Sequence, residues 1–157
     1  MRKRVIDRTT AEAPATDQDW LDLEVLVQAE LTSEDAQHPI EAALGEQPGS
    51  GWRAQQPGRQ TIRLLFDEPR HIHRIQLVFE ENERQRTQEF VLCWSPGGAA
   101  SWQEIVRQQY NFSPPDSNRE VEEYVVDIER LAQLELTIIP DISGGEVYAS
   151  LAQLRLA

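Results

Sequence analysis

The chain has 157 residues, enough for one domain with a sizeable core but cramped for two. Its hydrophobic content of 39% and charged content of 27% are typical of a globular protein and exclude a disordered chain. The formal net charge is −12, to which the first ten residues contribute +3, so the remainder carries −15. A surface this acidic repels phosphate backbones, so we expect no nucleic-acid partner.

Residues 1–18 mix charge with Thr, Ala and Pro and lack apolar periodicity. This composition predicts a flexible N-terminal tail, followed by one domain over residues 19–157. Asp7, Arg8 and Glu12 interrupt the apolar run that an export signal requires, and no apolar stretch reaches the ~20 residues of a membrane span. We therefore expect a cytoplasmic protein without a membrane span, whose oligomeric state the sequence leaves open.

A regular alternation of apolar and polar residues begins after the first segment, at Trp20. Apolar residues at every second position over residues 20–31 predict a strand, although the abundance of good helix formers leaves a helix open as an alternative. Pro39 and Gly45 then bound a short segment that predicts one helical turn over residues 40–44.

Further strands follow at close spacing. Apolar and polar residues alternate in TIRLLF, HIHRIQLVF and EFVLCW, with turn signals at DEP (67–69) and SPGG (95–98). The second half repeats this pattern in SWQEIVRQQY, VEEYVVDI, LELTII and ASLAQLRLA. Short strands joined by such turns predict an all-β fold, an eight-stranded antiparallel jelly-roll β-sandwich.

Residues 38–157 resemble the discoidin or coagulation factor 5/8 type C family, also called galactose-binding-like domains. Four stretches carry the resemblance in order: HPIEAALGEQPGSGW (38–52), TIRLLFDEPRHIHRIQLVF (61–79), EFVLCWSPGGAASWQEI (89–105) and YASLAQLRL (148–156). The resemblance implies a jelly roll whose loops at one end bind sugars, lipid headgroups or other proteins. Because a fold does not fix function, the site needs its own argument.

The resemblance also implies a structural calcium near the loop before Trp52. The required hydroxyl falls on Ser50, but Gly45 stands where the family has an aspartate. Calcium takes six to eight oxygen ligands, and the loss of a carboxylate removes much of the electrostatic attraction. We therefore predict no cofactor and no metal-binding residues, with a structural calcium left open as the alternative.

The four tryptophans suggest stacking against sugar rings, but core packing is the commoner role of such large side chains. Trp20, Trp94 and Trp102 lie in strand patterns or where a turn meets a strand, so we predict that they fill the core. Trp52 follows a Gly/Ser/Pro loop and is a candidate ligand contact, with support of the core as the alternative.

Arginines in an acidic protein are informative because they donate two parallel hydrogen bonds to vicinal hydroxyls or carboxylates. Candidate ligand-binding residues, each with surface or packing roles as the alternative, are Trp52, Arg53, Arg84, Arg86 and Tyr110. His38 belongs with the same group of cations in loops or at strand ends, and Phe112 lies beside Tyr110.

The sequence offers little for metal binding or catalysis. His71 and His73 share a face of a strand, but no third ligand with clear spacing is present. The acidic pairs at 80–81 and 122–123 point to opposite faces of a strand and cannot flank one bond. No nucleophile elbow or phosphate-binding glycine loop is present. Cys93, between Leu92 and Trp94, is predicted to be a buried, unreactive thiol.

The sequence therefore predicts a non-catalytic binding module that recognises a carbohydrate or similar polar ligand through loops at one end of the sandwich. The alternative is an intracellular protein–protein interaction or scaffold domain with no glycan ligand. An exposed apolar patch of several hundred Å² would favour the alternative, and a concave polar pocket would favour the glycan.

Overall fold

The computed structural model describes residues 20–45, 51–98 and 101–157, and the predicted N-terminal tail lies outside these residues. The described elements are α1 (Leu23–Leu26), β1 (Val27–Leu31), α2 (Glu41–Leu44), β2 (Trp52–Pro57), β3 (Gln60–Glu80), β4 (Arg86–Ser95), β5 (Gln103–Phe112), β6 (Arg119–Ile139), β7 (Tyr148–Leu151) and β8 (Gln153–Leu156). Neither described helix is long and apolar enough to cross a membrane.

The strands form antiparallel sheets, as the sequence predicted. The larger sheet has the order β1-β3-β6-β4-β5, with β8 also paired to β3, and β2 pairs with β7 separately. The two 21-residue strands β3 and β6 pair along most of their length, with shifts in register between Leu65 and Arg74. Before the shifts β1 pairs with β3, and after them β8 does, so one long strand serves two groups of partners.

The core follows the predicted alternation of apolar side chains. Buried residues recur at every second position in β3, β4 and β6, and they join one cluster that includes Ile62, Leu64, Ile75, Leu77, Phe79, Phe90, Leu92, Leu134, Leu136 and Ile138. Each strand therefore buries one face, which is the physical basis of the period-two pattern.

The strand predicted over residues 20–31 is correct only in its second half. Leu23–Leu26 form a helical turn, and the strand begins at Val27, where pairing with Phe66 starts. The turn buries Leu23 and packs Leu26 against the core. Positions i and i+3 share one side of a helical turn, so Leu23 and Leu26 both face the core, whereas Val25, which an alternating strand would have turned inward, is exposed.

Strand number along the chain also differs from the prediction in two places. The predicted turn at 67–69 lies inside β3, and VEEYVVDI and LELTII are both parts of β6, because the two long strands continue through irregular pairing. Conversely, ASLAQLRLA divides at Ala152, whose amide donates to Val78 O at 2.8 Å. β7 before this point pairs with β2, and β8 after it pairs with β3.

Candidate functional site

A cavity of about 290 Å³ opens where the chain segment after β1, strand β2, the end of β3 and strand β7 meet. Its lining is polar and contains one exposed aromatic ring; the residues are His38, Arg53, Glu80, Glu81, Asn82, Glu83, Tyr148, Ser150 and Ala152. We call it the Arg53 cavity. Residues from four separate parts of the sequence therefore converge at a single concave surface.

Arg53 is positioned by its backbone on two sides. It pairs with Ser150 across β2 and β7, while its amide donates to His38 O at 3.1 Å and its carbonyl accepts from Asp35 N at 2.8 Å. The guanidinium group is exposed and makes no hydrogen bond or ion pair with any residue that the structure describes. A fixed backbone thus presents donors that are still available to a ligand.

His38 enters the cavity from a tight turn at residues 35–38. The turn is closed by a hydrogen bond from His38 N to Asp35 O at 2.8 Å, and the Asp35 carboxylate accepts one from Gln37 N at 3.0 Å. That bond from Gln37, together with His38, lowers the pKa of Asp35. His38 Nδ1 lies 3.4 Å from Asp35 Oδ2 but is buried and makes no hydrogen bond, so Nε2 is the ring nitrogen available to a ligand.

The opposite wall is the loop that follows β3. Glu81 accepts hydrogen bonds from Glu83 N at 2.9 Å and from Arg86 Nε at 2.6 Å. Burial opposes ionisation of Glu81, but these two contacts outweigh it and lower its pKa. The charge on this carboxylate therefore holds the loop in place.

Arg86, which anchors Glu81, is itself buried beneath the loop. Its Nη1 donates to Pro140 O at 2.7 Å and to Gln88 at 3.1 Å, and its guanidinium lies 4.6 Å from the centre of the Phe112 ring. The Arg86 guanidinium thus donates to three acceptors, on Glu81, Gln88 and Pro140, which gives the loop a rigid base.

A second concavity of about 430 Å³ adjoins the first. It is lined by Asp35, Arg53, Ala54, Gln55 and Tyr148. Arg53 and Tyr148 line both concavities, and Tyr148 is 41% exposed. An arginine and an aromatic ring therefore lie at the boundary of two adjoining concavities.

Only one of the five sequence-predicted ligand contacts, Arg53, lines this cavity. Arg84 is exposed but lies outside the lining. Tyr110 is half-buried on β5, donates from its hydroxyl to Arg119 O at 3.1 Å and packs edge-on against Phe112. Both the hydroxyl and the ring of Tyr110 are therefore engaged in contacts within the protein.

The structure corrects the prediction that Trp52 and Arg86 contact a ligand, because both side chains are buried. Trp52 is 0% exposed and donates from Nε1 to Ser33 O at 3.2 Å, so it supports the strand that carries Arg53. The Arg86 side chain is 1% exposed and supports the loop through Glu81. Neither side chain reaches a ligand directly in this conformation.

Sequence reasoning did not identify Glu80, Asn82 or Tyr148 as candidates. Asn82 Oδ1 accepts from Asn118 Nδ2 at 3.2 Å, and Tyr148 begins the short strand β7. The one local signal is the contrast between exposed Tyr148 and its buried strand neighbours Ala149 and Leu151. An aromatic residue on the polar side of a short strand is worth testing as a contact.

The prediction that three tryptophans fill the core is wrong for Trp102, which is 39% exposed and lies 5.5 Å from the Arg63 guanidinium. Trp20 is half-buried and lies between Arg74 and Arg155. Trp94 is partly buried against the core. Cationic partners cover two of the rings, which removes the need for complete burial.

Another concave surface, on the sheet face around Arg63, is less suited to a ligand. The Arg63 guanidinium donates to Glu135 at 2.6 Å and to Glu30 at 3.3 Å. These carboxylates raise the pKa of Arg63 and occupy its donors. The Arg53 guanidinium, by contrast, makes no hydrogen bond or ion pair within the described part of the chain, which favours the Arg53 cavity as the functional site.

The calcium implied by the family resemblance does not fit the residues described. Gly45 supplies only a backbone carbonyl where the resemblance requires a carboxylate, and the predicted hydroxyl ligand Ser50 lies outside the described residues. A carbonyl alone is far from the six to eight oxygens that calcium takes. The absence of a cofactor stays a prediction.

No protein-family model and no curated protein matches the chain. Among solved structures, the family 32 carbohydrate-binding module of C. perfringens NanJ in complex with galactose matches with a TM-score of 0.64 and 14% identity, covering 87% of this chain and 96% of that one. A second Clostridium perfringens module, CpGH89CBM32-5 in complex with GalNAc-β-1,3-galactose, matches with a TM-score of 0.63 and 15% identity over 88% and 99% of the two chains. A pectin-binding carbohydrate-binding module has a TM-score of 0.60 and 17% identity over 83% and 89%.

The chain has the discoidin, or galactose-binding-like, fold. This fold confirms the predicted all-β antiparallel sandwich, and the matched length shows that it accounts for most of the chain. At this level of identity the comparison establishes the fold, and function has to be argued from the cavity.

Proposed function

We propose that this protein is a non-catalytic module that binds neutral glycans in the Arg53 cavity. The observation that carries the proposal is the exposed guanidinium of Arg53, unpaired with any described residue, in a cavity that also holds the exposed ring of Tyr148. A planar set of donors beside an apolar ring suits a sugar, which has vicinal hydroxyls at its edge and an apolar face.

The remaining polar groups of the cavity fit hydroxyl chemistry. Asn82 offers an amide, Ser150 a hydroxyl and His38 one ring nitrogen. Sugar hydroxyls both donate and accept, so they can pair with each of these groups. A few such polar groups fix orientation in a ligand site, while the aromatic contact supplies apolar area.

The net charge of the cavity lining is negative, because the Arg53 cation is outnumbered by the carboxylates, and this disfavours acidic sugars. Glu80 and Glu83 line it together with Glu81, whose charge Arg86 already balances, and the whole chain carries −12. A uronic or sialic acid would bring its carboxylate towards these groups, and like charges at short range are repulsive. Neutral sugars avoid this repulsion, and their hydroxyls can donate to the glutamates.

The solved structures of similar fold support a carbohydrate ligand, and the choice of a neutral one rests on the charge of the cavity, since a pectin-binding module and a module in complex with 4,5-unsaturated mannuronic acid are also among them. The NanJ module is in complex with galactose, and CpGH89CBM32-5 is in complex with a neutral disaccharide. The Arg53 cavity and the adjoining concavity, of about 290 and 430 Å³, together have room for more than one sugar unit. A neutral disaccharide or longer glycan is therefore the class of ligand that we propose.

The absence of catalysis is supported by the state of the carboxyl groups. Glycoside hydrolysis requires a general acid with a raised pKa beside a second carboxylate. Among the described groups the carboxyl with a clearly raised pKa is Glu120, which does not line the cavity, whereas the pKa of Glu81 is lowered. Burial also raises the pKa of the Cys93 thiol, which makes it a poor nucleophile.

The distribution of exposed apolar side chains argues against the protein-interaction alternative. The large exposed hydrophobics among the described residues are Val25, Trp102, Val121, Val125, Ile142 and Tyr148. They are spread over α1, the segment before β5, strand β6, the segment after it and β7. Of these side chains the Arg53 cavity is lined by Tyr148 alone, so the cavity lacks the apolar lining that a protein docking site there would need.

The proposal is tested by a glycan array followed by titration calorimetry with the strongest neutral hit, each with calcium and with a chelator. Arg53→Ala should abolish binding, while the matched variant Arg84→Ala removes an exposed arginine outside the cavity and should bind as the native protein does. Acidic glycans should bind more weakly than neutral ones. A blank array, or equal binding by both variants when circular dichroism shows them folded, would overturn the assignment.

A further inference from the structure

Three exposed side chains lie together on the outer face of β3 and β6, away from the lining of the Arg53 cavity. They are His71 and His73 of β3 and Asp127 of β6. One potential ligand atom from each lies within 4.8 Å of the others. We propose that these residues form a binding site for a divalent transition-metal ion of the zinc type.

The irregular pairing of the long strands creates this juxtaposition. Ile72 pairs with Ile128, and both are buried, so their sequence neighbours point outward. The register shifts between Ile72 and Arg74, which pairs with Val125. One residue of β3, His73, therefore faces two residues of β6, and Asp127 shares the outer face with both histidines.

The geometry supplies the third ligand that the sequence pattern lacked. The imidazole rings of His71 and His73 have centroids 4.1 Å apart, and Nε2 of His71 hydrogen-bonds Asp127 Oδ1 at 2.5 Å. Asp127 lies 56 positions from His71 in the chain, so no local spacing pattern includes it. This hydrogen bond keeps the Asp127 carboxylate beside the His71 imidazole. A metal ion that binds both groups would displace the proton they share.

Two imidazoles and one carboxylate are the ligand set of a borderline metal ion. Zinc takes nitrogen ligands at about 2.0–2.1 Å in a tetrahedron, which places neighbouring donor atoms about 3.3 Å apart. Small rotations of exposed side chains bring donors from within 4.8 Å to that spacing. Calcium and magnesium, which prefer oxygen ligands, are selected against. Three protein ligands leave a fourth position for water.

The surrounding charge favours a cation. The nearby Arg74 lies 3.5 Å from Glu123 and packs 5.4 Å from the centre of the Trp20 ring, so its own partners engage its charge. The chain as a whole carries −12, which raises the local concentration of divalent cations. Because the three ligands come together only in the folded chain, bound metal also stabilises the fold by mass action.

The test is calorimetric titration of zinc chloride into the full chain, stripped of metal by a chelator and freed of any histidine tag. We expect one zinc per chain, no comparable heat from calcium or magnesium, and a zinc-dependent rise in Tm. His71→Ala and His73→Ala should abolish binding, and Asp127→Asn should weaken it roughly 10-fold or more.

The control is His38→Ala, which removes the remaining one of the three histidines in the chain and should leave zinc binding intact. Visible absorption of the cobalt-loaded native protein gives a second readout that needs no variant, since tetrahedral nitrogen and oxygen ligation produces a distinctive spectrum. No binding by the native protein, or zinc binding that survives in both His71→Ala and His73→Ala, would overturn the proposal. Neither outcome bears on the glycan assignment, because these residues do not line the Arg53 cavity.

Discussion

Arg86 donates from Nε to Oε1 of Glu81 at 2.6 Å, and this ion pair connects the interior of the sandwich to the wall of the Arg53 cavity. The guanidinium side chain is 1% exposed and the Glu81 side chain 14%. Most ion pairs on this protein's surface are far more exposed, such as those of Arg107. Loss of the buried pair should therefore lower both the free energy of unfolding and the affinity for a ligand.

Arg86→Ala should lower the free energy of unfolding by about 3–5 kcal/mol, because it leaves Glu81 charged and without its partner. Denaturant unfolding followed by fluorescence measures the change. The matched variant Arg107→Ala removes an arginine that is 54% exposed and bonded to two glutamates, and it should cost less than about 1 kcal/mol. Equal losses in the two variants would show that burial does not govern the strength of these pairs.

Tyr148→Ala should weaken glycan binding about 10-fold while leaving Tm nearly unchanged, because the ring is exposed and contributes mainly apolar contact to the cavity. Tyr148→Phe should retain most of the affinity, since the face of the ring is preserved. Trp102→Ala is the control, because it removes an exposed ring that lies outside the Arg53 cavity. Unchanged affinity in Tyr148→Ala would show that the Tyr148 ring does not contact the glycan.

Stability should fall as the pH rises from about 5 to 8, owing to Glu120. Burial, and then the neighbouring Glu122 carboxylate, raise the pKa of Glu120 from its ordinary value of 4.5 to about 8. The folded protein thus holds a proton that the unfolded chain releases, so this contribution to stability is fully present below pH 4.5 and is lost as the pH passes through about 8. We expect a loss on the order of 2 kcal/mol over this range.

Glu120→Gln isolates this effect, because the amide stays neutral at every pH. Unfolding midpoints measured across the pH range should become flatter in this variant, and at pH 8 it should be more stable than the native chain. Exposed Glu129→Gln serves as the control and should keep the native slope. The same slope in the native protein and in Glu120→Gln would contradict the prediction.

Gly51→Ala should destabilise the protein by about 3 kcal/mol or more. Gly51 has φ of +72°, and a Cβ there would lie 2.3 Å from Leu151 O and 2.7 Å from the Cα of Ala152, both backbone atoms of the neighbouring segment. Gly58 has φ of +87° but nothing within 4 Å, so Gly58→Ala bears only the conformational cost of about 1 kcal/mol. The difference in Tm between the two variants measures the cost of the steric contact between a Cβ at position 51 and the backbone of residues 151 and 152.

The sequence alone determined the fold class and most strand positions, because alternation of apolar residues is a local property of each strand. Ile62, Leu64 and Phe66, and again Leu134, Leu136 and Ile138, are buried as their period-two spacing predicted. The helical turn before Gly45 was likewise predictable from its bounding Pro39 and Gly45. What the local pattern did not show was that β3 and β6 continue through their irregular pairing as single strands.

Only the tertiary structure decided which polar residues meet. His38, Arg53, Asn82 and Tyr148 are far apart in the chain, and strand pairing and docked turns bring them to one cavity. Trp52 and Arg86 have the same residue types as candidates that line the cavity or the surface, but their position on a strand turns them inward, and no composition signal distinguishes the two cases. The same holds for Asp127, which joins two histidines only because the long strands pair out of register. Residue type sets what a side chain can do, whereas the face and register of its strand decide what it meets.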